Sequence, residues 1–301
     1  MSIIECMNTF MLYVMSYTSQ KSIEYYDNNM TFFRNYLLNR HISLDSDINM
    51  LSKNDYVGYI AYHKGRGIKN TSVRTYARAV KVFLRYCYNE GYLLENITLN
   101  VKYPKSDKKI IVPLSQQRVN MLDDYIYHGY MYPRNMCIFH LMLDCGLRLG
   151  EVIRLNVSDV NFDDKYIIVR YSKNNKSRVV PLPDSVAYML HNYIKHYKHP
   201  QTGALILNAS YDDRITVCGI EKVFSRIKSC DSDIYPHLLR HTFGTSFILG
   251  GGSLEILRVL MGHEDYNVTK EYLHIATQSQ IVNLDIYKLD DVFFRTYNYN
   301  K

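Results

Sequence analysis

HLLRHTFGTSFILGGGSLEILRVLMGHEDYNVTKEYLH, residues 237–274, is the stretch from which the rest of the chain can be read. Its apolar positions predict one helix over 237–249 and another over 253–261, separated by Gly250-Gly251-Gly252. His237 and Arg240 stand three apart and so share a helical face. His263 follows Leu260-Met261-Gly262, and Tyr272 comes nine residues later.

Working outward, Arg148 lies in Cys145-Gly146-Leu147-Arg148-Leu149-Gly150-Glu151, a glycine-flanked entry into a further helix. Residues 166–171 and 177–182 read as two strands around Lys173-Asn174-Asn175-Lys176, a hairpin with a polar tip. Helical patterns occupy 115–127, 133–144, 185–197 and 219–228. This half is therefore helical with a small sheet.

Cleaving a phosphodiester without a metal needs a nucleophile, cations over the non-bridging oxygens, and an acid for the leaving alkoxide. Tyr272, the pair Arg148 and Arg240, and Lys173 are of those types, with His237 and His263 beside them in sequence. Singly, each is ordinary. The chain has 29 tyrosines, most of which must be packing residues. A hairpin-tip lysine is usually just solvated. The ordered set carries the signal.

The first third is helical, with patterns over 22–38, from a Ser52 cap to Tyr62, and from Asn70, Thr71 or Ser72 to Asn89. In the last of these, Val73, Ala77, Val80, Leu84 and Cys87 form an apolar stripe. Arg74, Arg78, Lys81 and Arg85 recur at helical spacing on another face. With Lys64, Arg66 and Lys69 they make seven basic residues, and no acidic one, between 64 and 89. Soluble helices usually mix signs, so an uncompensated row points to a polyanion such as the DNA backbone. The segment 104–113, PKSDKKIIVP, reads as a linker. It divides the chain into 1–106 and 107–301.

The 301 residues suffice for two cores, and 47% hydrophobic with 22% charged is a globular balance. A net charge of +7 agrees with a polyanionic partner. The six cysteines form no C-x-x-C pair and no zinc-finger pattern, so free thiols in a reducing cytosol are expected. The apolar run over 3–15 lacks the basic start and cleavage site of a signal peptide. A soluble, cytoplasmic, nucleoid-associated protein of a prokaryote is the expectation.

Four boxes resemble the tyrosine recombinase family (phage integrase, Xer-like): GLRLGEVIRL at 146–155, SKNNKSRVVPL at 172–182, HLLRHTFGTSFI at 237–248 and LMGHEDYNVTKEYLH at 260–274. The resemblance covers both halves and implies a mainly α fold with a small β-sheet. A helical core-binding domain (1–106) would precede a mixed α/β catalytic domain (107–301). By the resemblance, Arg148 and Arg240 clamp the scissile phosphate and His263 donates to it. His237 assists proton transfer, and Lys173, or Lys176 in its place, protonates the 5′ oxygen. Glu151 orients its neighbours, and Tyr272 attacks to give a 3′-phosphotyrosine. No metal and no cofactor are implied. The implied partner is double-stranded DNA bearing specific recombination sites, bound by a homo-tetramer that exchanges strands through a Holliday junction. The apolar tail (Ile281, Leu284, Leu289, Val292, Phe293, Phe294) would pack on the next protomer. A DNA-binding regulator without catalysis and a strand-passage enzyme like the type IB topoisomerases are the competing readings. Departures from the family pattern are Met261 for leucine, Gly244 for alanine and the 250–252 glycine run, read as effects on loop flexibility.

Overall fold

A computed structural model describes residues 1–105, 111–170, 177–197, 203–281 and 285–289. The chain divides into two compact units, Met1–Lys109 and Ile110–Lys301. The segment read as a linker runs through 106–110, outside the described residues.

The first unit is built from α1 (Ile3–Tyr17), α2 (Gln20–Asn39), α3 (Lys53–Gly65) and α4 (Asn70–Asn89). Ser2 starts α1 with a reciprocal cap: Glu5 N donates to Ser2 Oγ at 3.3 Å, and Ser2 N donates to Glu5 Oε2 at 2.9 Å. At α3, Ser52 N and Oγ both donate to the Asp55 carboxylate. The cap expected for α4 at Asn70, Thr71 or Ser72 is displaced by one residue. Lys69 takes the cap position, with no side-chain bond, because the helix already runs at Asn70.

The apolar stripe of α4 (Val73, Ala77, Val80, Leu84, Cys87) is buried, and Phe83 between its members packs against Phe10 and Phe33. Arg78, Arg85, Lys64, Arg66 and Lys69 are exposed. Arg74 and Lys81 are half-buried, holding the chain that leaves the unit: Arg74 Nη1 donates to Pro104 O at 3.2 Å, and the Lys81 ammonium lies 5.9 Å from the Tyr103 ring centroid. None of the seven forms a salt bridge among the described residues. The row of positive charge therefore stays uncompensated.

His63 gives this unit a testable acid sensitivity. Its ring is buried against Tyr59 and Tyr76, and neither nitrogen has a hydrogen-bond partner. Burial, helped by Arg66, lowers its pKa, so the folded unit favours neutral imidazole. A group with a lowered basic pKa contributes stability above its unfolded value of about 6.5 and loses it as pH falls towards the folded value. The protection factors of α3 and α4 amides against hydrogen exchange should fall between pH 7 and pH 5 in the wild type more than in His63→Phe. An equal fall in both proteins would remove His63 from the account.

The second unit contains α5 (Gln116–Tyr127), α6 (Tyr132–Leu143), α7 (Leu149–Arg154), β1 (Val160–Asn161), β2 (Tyr166–Val169) and β3 (Arg178–Pro181). It continues with α8 (Asp184–His196), α9 (Val217–Ile227), α10 (Pro236–Leu249), α11 (Leu254–Met261) and α12 (Tyr266–Ile281). The sheet is antiparallel in the order β1-β2-β3, with Ile167 opposite Val180 and Val169 opposite Arg178. The inward face of β2 and β3 is thus Ile167, Val169, Val180 and an arginine, while Val179 faces out. The short β1 was not anticipated, since two residues are too few to show alternation. Helix α6 is buried from Arg134 to Leu143, which makes it the axis of the unit.

After α12, Tyr287 N donates to Leu114 O at 2.9 Å, Tyr287 Oη donates to Asp144 Oδ1 at 2.8 Å, and Ile286 and Leu289 are buried. Residues 285–289 therefore lie against their own unit. Leu284, Val292, Phe293 and Phe294 lie outside the described residues. No helix of the described residues is long and apolar enough to cross a membrane.

Candidate active site

A cavity of about 790 Å³ is lined by Arg148, Arg178, His237, Arg240, His263 and Tyr272, among others. Five of the six residues expected to carry catalysis meet there, from four separate elements. Lys173, and Lys176 as its substitute, lie outside the described residues. Ser177, which directly follows Lys176, lines the cavity.

Two glycines shape the turns that deliver the cations. Gly146 has φ +63°, and a Cβ there would stand 2.5 Å from Phe243 Cδ1. Gly262 ends α11 at φ +61°, where a Cβ would meet the guanidinium groups of Arg178 and Arg148 at 3.1 and 3.4 Å. Left-handed backbone plus that crowding admits only glycine comfortably. Two successive carbonyls at the end of α11 hold Arg148 and Arg240. Arg148 Nη2 donates to Gly262 O at 2.9 Å, and Arg240 Nη2 donates to Met261 O. Arg240 Nη1 also donates to Gly146 O, tying α10 to the turn before α7.

Among the described residues, Glu151 is the buried counter-charge in salt-bridge contact with Arg148 and Arg178. Its Oε1 accepts from Arg148 Nη1 at 2.9 Å and Arg178 Nη1 at 2.8 Å. Its Oε2 accepts from the Arg148 backbone N at 2.8 Å and Arg178 Nη2 at 2.7 Å. Burial opposes ionisation of this carboxyl, but the bonds and charge of Arg178, then Arg148, overcome it and hold the pKa at about 2. Two guanidiniums thus share one carboxylate, and the charge of a third, Arg240, also favours its ionised form. Arg240 is 4% exposed, and burial followed by repulsion from Arg148 lowers its pKa. Glu264, Asp265 and Glu271 also line the cavity but are solvent-exposed, where screening weakens their field. The interior is short of negative charge, as a site for an oxyanion should be.

The histidines are neutral. A guanidinium has no lone pair to offer, so the 3.1 Å contact from Arg240 Nη2 makes His263 Nε2 an acceptor. The ring proton is then on Nδ1, donated to Thr269 Oγ1 at 3.0 Å. Burial, then Arg240 and Arg148, lowers the His263 pKa to about 3. His237, on the accessible first turn of α10, is lowered by burial and the same two arginines. His241 is held at about 4 by burial and His237, and its Nδ1 is buried without a partner.

Tyr272 sits on α12, 4% exposed, with its ring centroid 5.2 Å from His241 and 6.0 Å from His263. The arginines favour phenolate, but burial outweighs them and the pKa rises to about 12. The phenol therefore holds its proton near neutrality. His237 and His241 line the same cavity, and the surroundings of each favour the neutral imidazole.

Gly244 is not a matter of loop flexibility. It lies inside α10, and a Cβ there would stand 2.5 Å from Tyr272 Cε1. Gly244→Ala should push the tyrosine ring away from α10. A displacement approaching 1 Å costs about 10²-fold in rate when a reacting group is misplaced. Single-turnover cleavage should fall by that order with substrate affinity unchanged, and an unchanged rate would show that the ring is free to re-seat.

Sequence reasoning missed Arg178 and Thr269. Arg178 had a signal: it is two residues from Val180, so an arginine occupies an inward strand position, which demands a buried anion. Thr269 had none.

The phage integrase family model matches residues 129–279, half of the chain. The tyrosine recombinase XerD of Oceanobacillus iheyensis is 26% identical over 267 residues, covering 86% of this chain and 89% of that protein. The tyrosine recombinase XerC of Pediococcus pentosaceus is 27% identical over 271 residues, with the same coverage of 86% and 89%. Among solved structures, the Tn1549 transposon integrase in complex with circular intermediate DNA superposes with a TM-score of 0.77 at 18% identity. That match covers 93% of this chain and 99% of the other. At that identity it speaks for the fold.

Proposed function

The chain belongs to the phage integrase family, the tyrosine recombinases, and from that premise we propose that it cuts and rejoins duplex DNA at specific sites through Tyr272. One observation carries the reading: Tyr272 lines the same pocket as Arg148, Arg178 and Arg240, where Glu151 bonds to the first two and Arg240 forms no salt bridge among the described residues. The free N–H groups of Arg148 and Arg240 suit two non-bridging phosphate oxygens, which would hold the phosphorus within the pocket that Tyr272 also lines.

In the proposed step the Tyr272 oxygen bonds to phosphorus and its proton passes to His237. The P–O5′ bond breaks, and Lys173, or Lys176, supplies the proton that leaves with the 5′ hydroxyl. His263 donates to the phosphate only with a proton on Nε2, the atom that now accepts from Arg240. A phosphate anion alongside raises the imidazole pKa and supplies an acceptor, favouring that proton. The ester energy is kept in the phosphotyrosine, so a second 5′ hydroxyl can reverse the attack without ATP.

Exchange then runs through a Holliday junction within a tetramer, with tail residues beyond 289 reaching a neighbouring protomer. The helical unit, 1–106, is the core-binding domain, laying Lys64, Arg66, Lys69, Arg78 and Arg85 on backbone phosphates. Arg74 and Lys81 contribute charge from their half-buried positions. The catalytic domain is 107–301.

The test uses two labelled duplexes carrying sequence that flanks the gene, one of them nicked to trap the covalent complex. A covalent adduct together with recombinant strands supports the reading. An adduct without exchange would favour a strand-passage enzyme, and tight binding without an adduct would favour a regulator.

A further inference from the structure

A second cavity, of about 230 Å³, lies between the start of α6 and the start of α9 and shares no residue with the first. Arg134, Lys222 and Arg226 line it, and no carboxylate does. Arg134 is 4% exposed. Its Nε and Nη2 donate to Asn135 Oδ1 at 3.2 and 3.1 Å, and its Nη1 donates to Leu207 O at 3.3 Å. These acceptors are neutral, and they occupy three of the five N–H donors of a guanidinium. The charge itself has no opposite partner among the described residues.

Burying such a charge is costly unless something neutralises it. Nothing in the packing of α6 requires an arginine there, because the two acceptors it serves could be met by a neutral donor. Lys222 and Arg226, four apart on α9, bring two more cations to the same opening. Arg226 is set over the Tyr130 ring at 5.0 Å, which orients its guanidinium without neutralising it. The α9 cap, Gly219 N donating to Thr216 Oγ1 at 3.1 Å, opens onto the same space and adds the positive end of the helix dipole.

We propose that this cavity is a phosphate-binding site distinct from the Arg148–Arg240 pocket. Arg134 offers two N–H groups to the oxygens of a phosphate, with Lys222 and Arg226 closing over it. The cavity is smaller than the roughly 300 Å³ at which pockets for drug-sized ligands begin, so a phosphate group fits better than a large organic anion. That group comes either from free phosphate or from the backbone of bound DNA.

The experiment is a titration of the full chain with inorganic phosphate at constant ionic strength, followed by backbone amide NMR. Two sets of saturable shifts are expected, one around Gly262 and His263 and one around Cys218, Gly219 and Tyr130. In the doubly substituted Lys222→Gln/Arg226→Gln chain, whose altered side chains are exposed, the second set should weaken at least tenfold while the first is unchanged. The unchanged first set shows that the variant is folded. No saturable shift at the second set in the wild type, or a shift indifferent to the double substitution, overturns the proposal.

Adding duplex DNA separates the sources. A backbone phosphate in the site would block the second set of shifts. The double variant would then show a DNA-affinity slope against log salt shallower by about 0.9. Shifts that persist beside DNA, with the slope unchanged, assign the site to free phosphate.

Discussion

Tyr272→Phe should retain its fold and its affinity for DNA while covalent attachment disappears. The substitution removes one oxygen from a side chain that is 4% exposed, and the ring keeps its seat against Gly244 and beside His241. Nothing in the cationic pocket depends on the hydroxyl, because Arg148 and Arg240 are held by Gly262 O, Met261 O, Gly146 O and Glu151. Removing a nucleophile costs roughly 10⁴-fold or more, since no neighbouring group restores the covalent step. On a nicked trapping substrate, a denaturing gel should show an adduct with the wild type and none with the variant. An adduct surviving in Tyr272→Phe would mean that another residue attacks. Because the wild-type pKa is raised to about 12, cleavage should also depend on a base rather than on phenolate already present.

Glu151→Gln should produce the largest loss of stability of any single change in the site. The side chain keeps its shape but loses the negative charge that Arg148 and Arg178 share, and its amide presents N–H groups to donors. Arg178, with a side chain 6% exposed, keeps its bond to Leu260 O but is left as a buried cation without an opposite charge. Removing one member of a buried pair costs about 3–5 kcal/mol. For a domain near this size that corresponds to a fall in Tm of about 10 °C. Phosphate should restore more stability to the variant than it adds to the wild type, because it supplies the missing charge.

The pH dependence has a definite sign. The Glu151 pKa is lowered from the ordinary carboxyl range to about 2. Its contribution is therefore complete above about pH 4.5 and is lost as pH falls from there through 2. That acid phase belongs to the wild type and should be missing from Glu151→Gln. A variant as stable as the wild type at pH 7 would mean that exposed acids neutralise the pocket.

Much of the fold was legible because its elements announce themselves locally. Ser115, Thr216 and Ser253 cap α5, α9 and α11 through side-chain bonds to their own first turns. The apolar stripe of α4 has the helical period, and the two longer strands alternate around a polar segment. These signals need only neighbours a few residues away. Where the local signal was weak, the reading slipped: β1 is two residues long, and α4 begins at a lysine with no cap bond.

The residue types for metal-free phosphodiester chemistry, and their order along the chain, were set by the sequence itself, since reactivity belongs to the side chain and order to the polymer. Their protonation states were not. The arginines around Tyr272 suggest a lowered pKa on paper, but burial reverses the result, and burial is a property of packing by residues far away in the chain. The same holds for His263, whose tautomer is fixed by Arg240 and Thr269, and for Gly244, which matters only because α12 lays a ring on it. Arg178 and Arg134 make the point most sharply. In sequence each is one basic residue among many. The tertiary structure decides that one is neutralised by Glu151 and the other by nothing described, because the energy of a charge depends on what surrounds it in space.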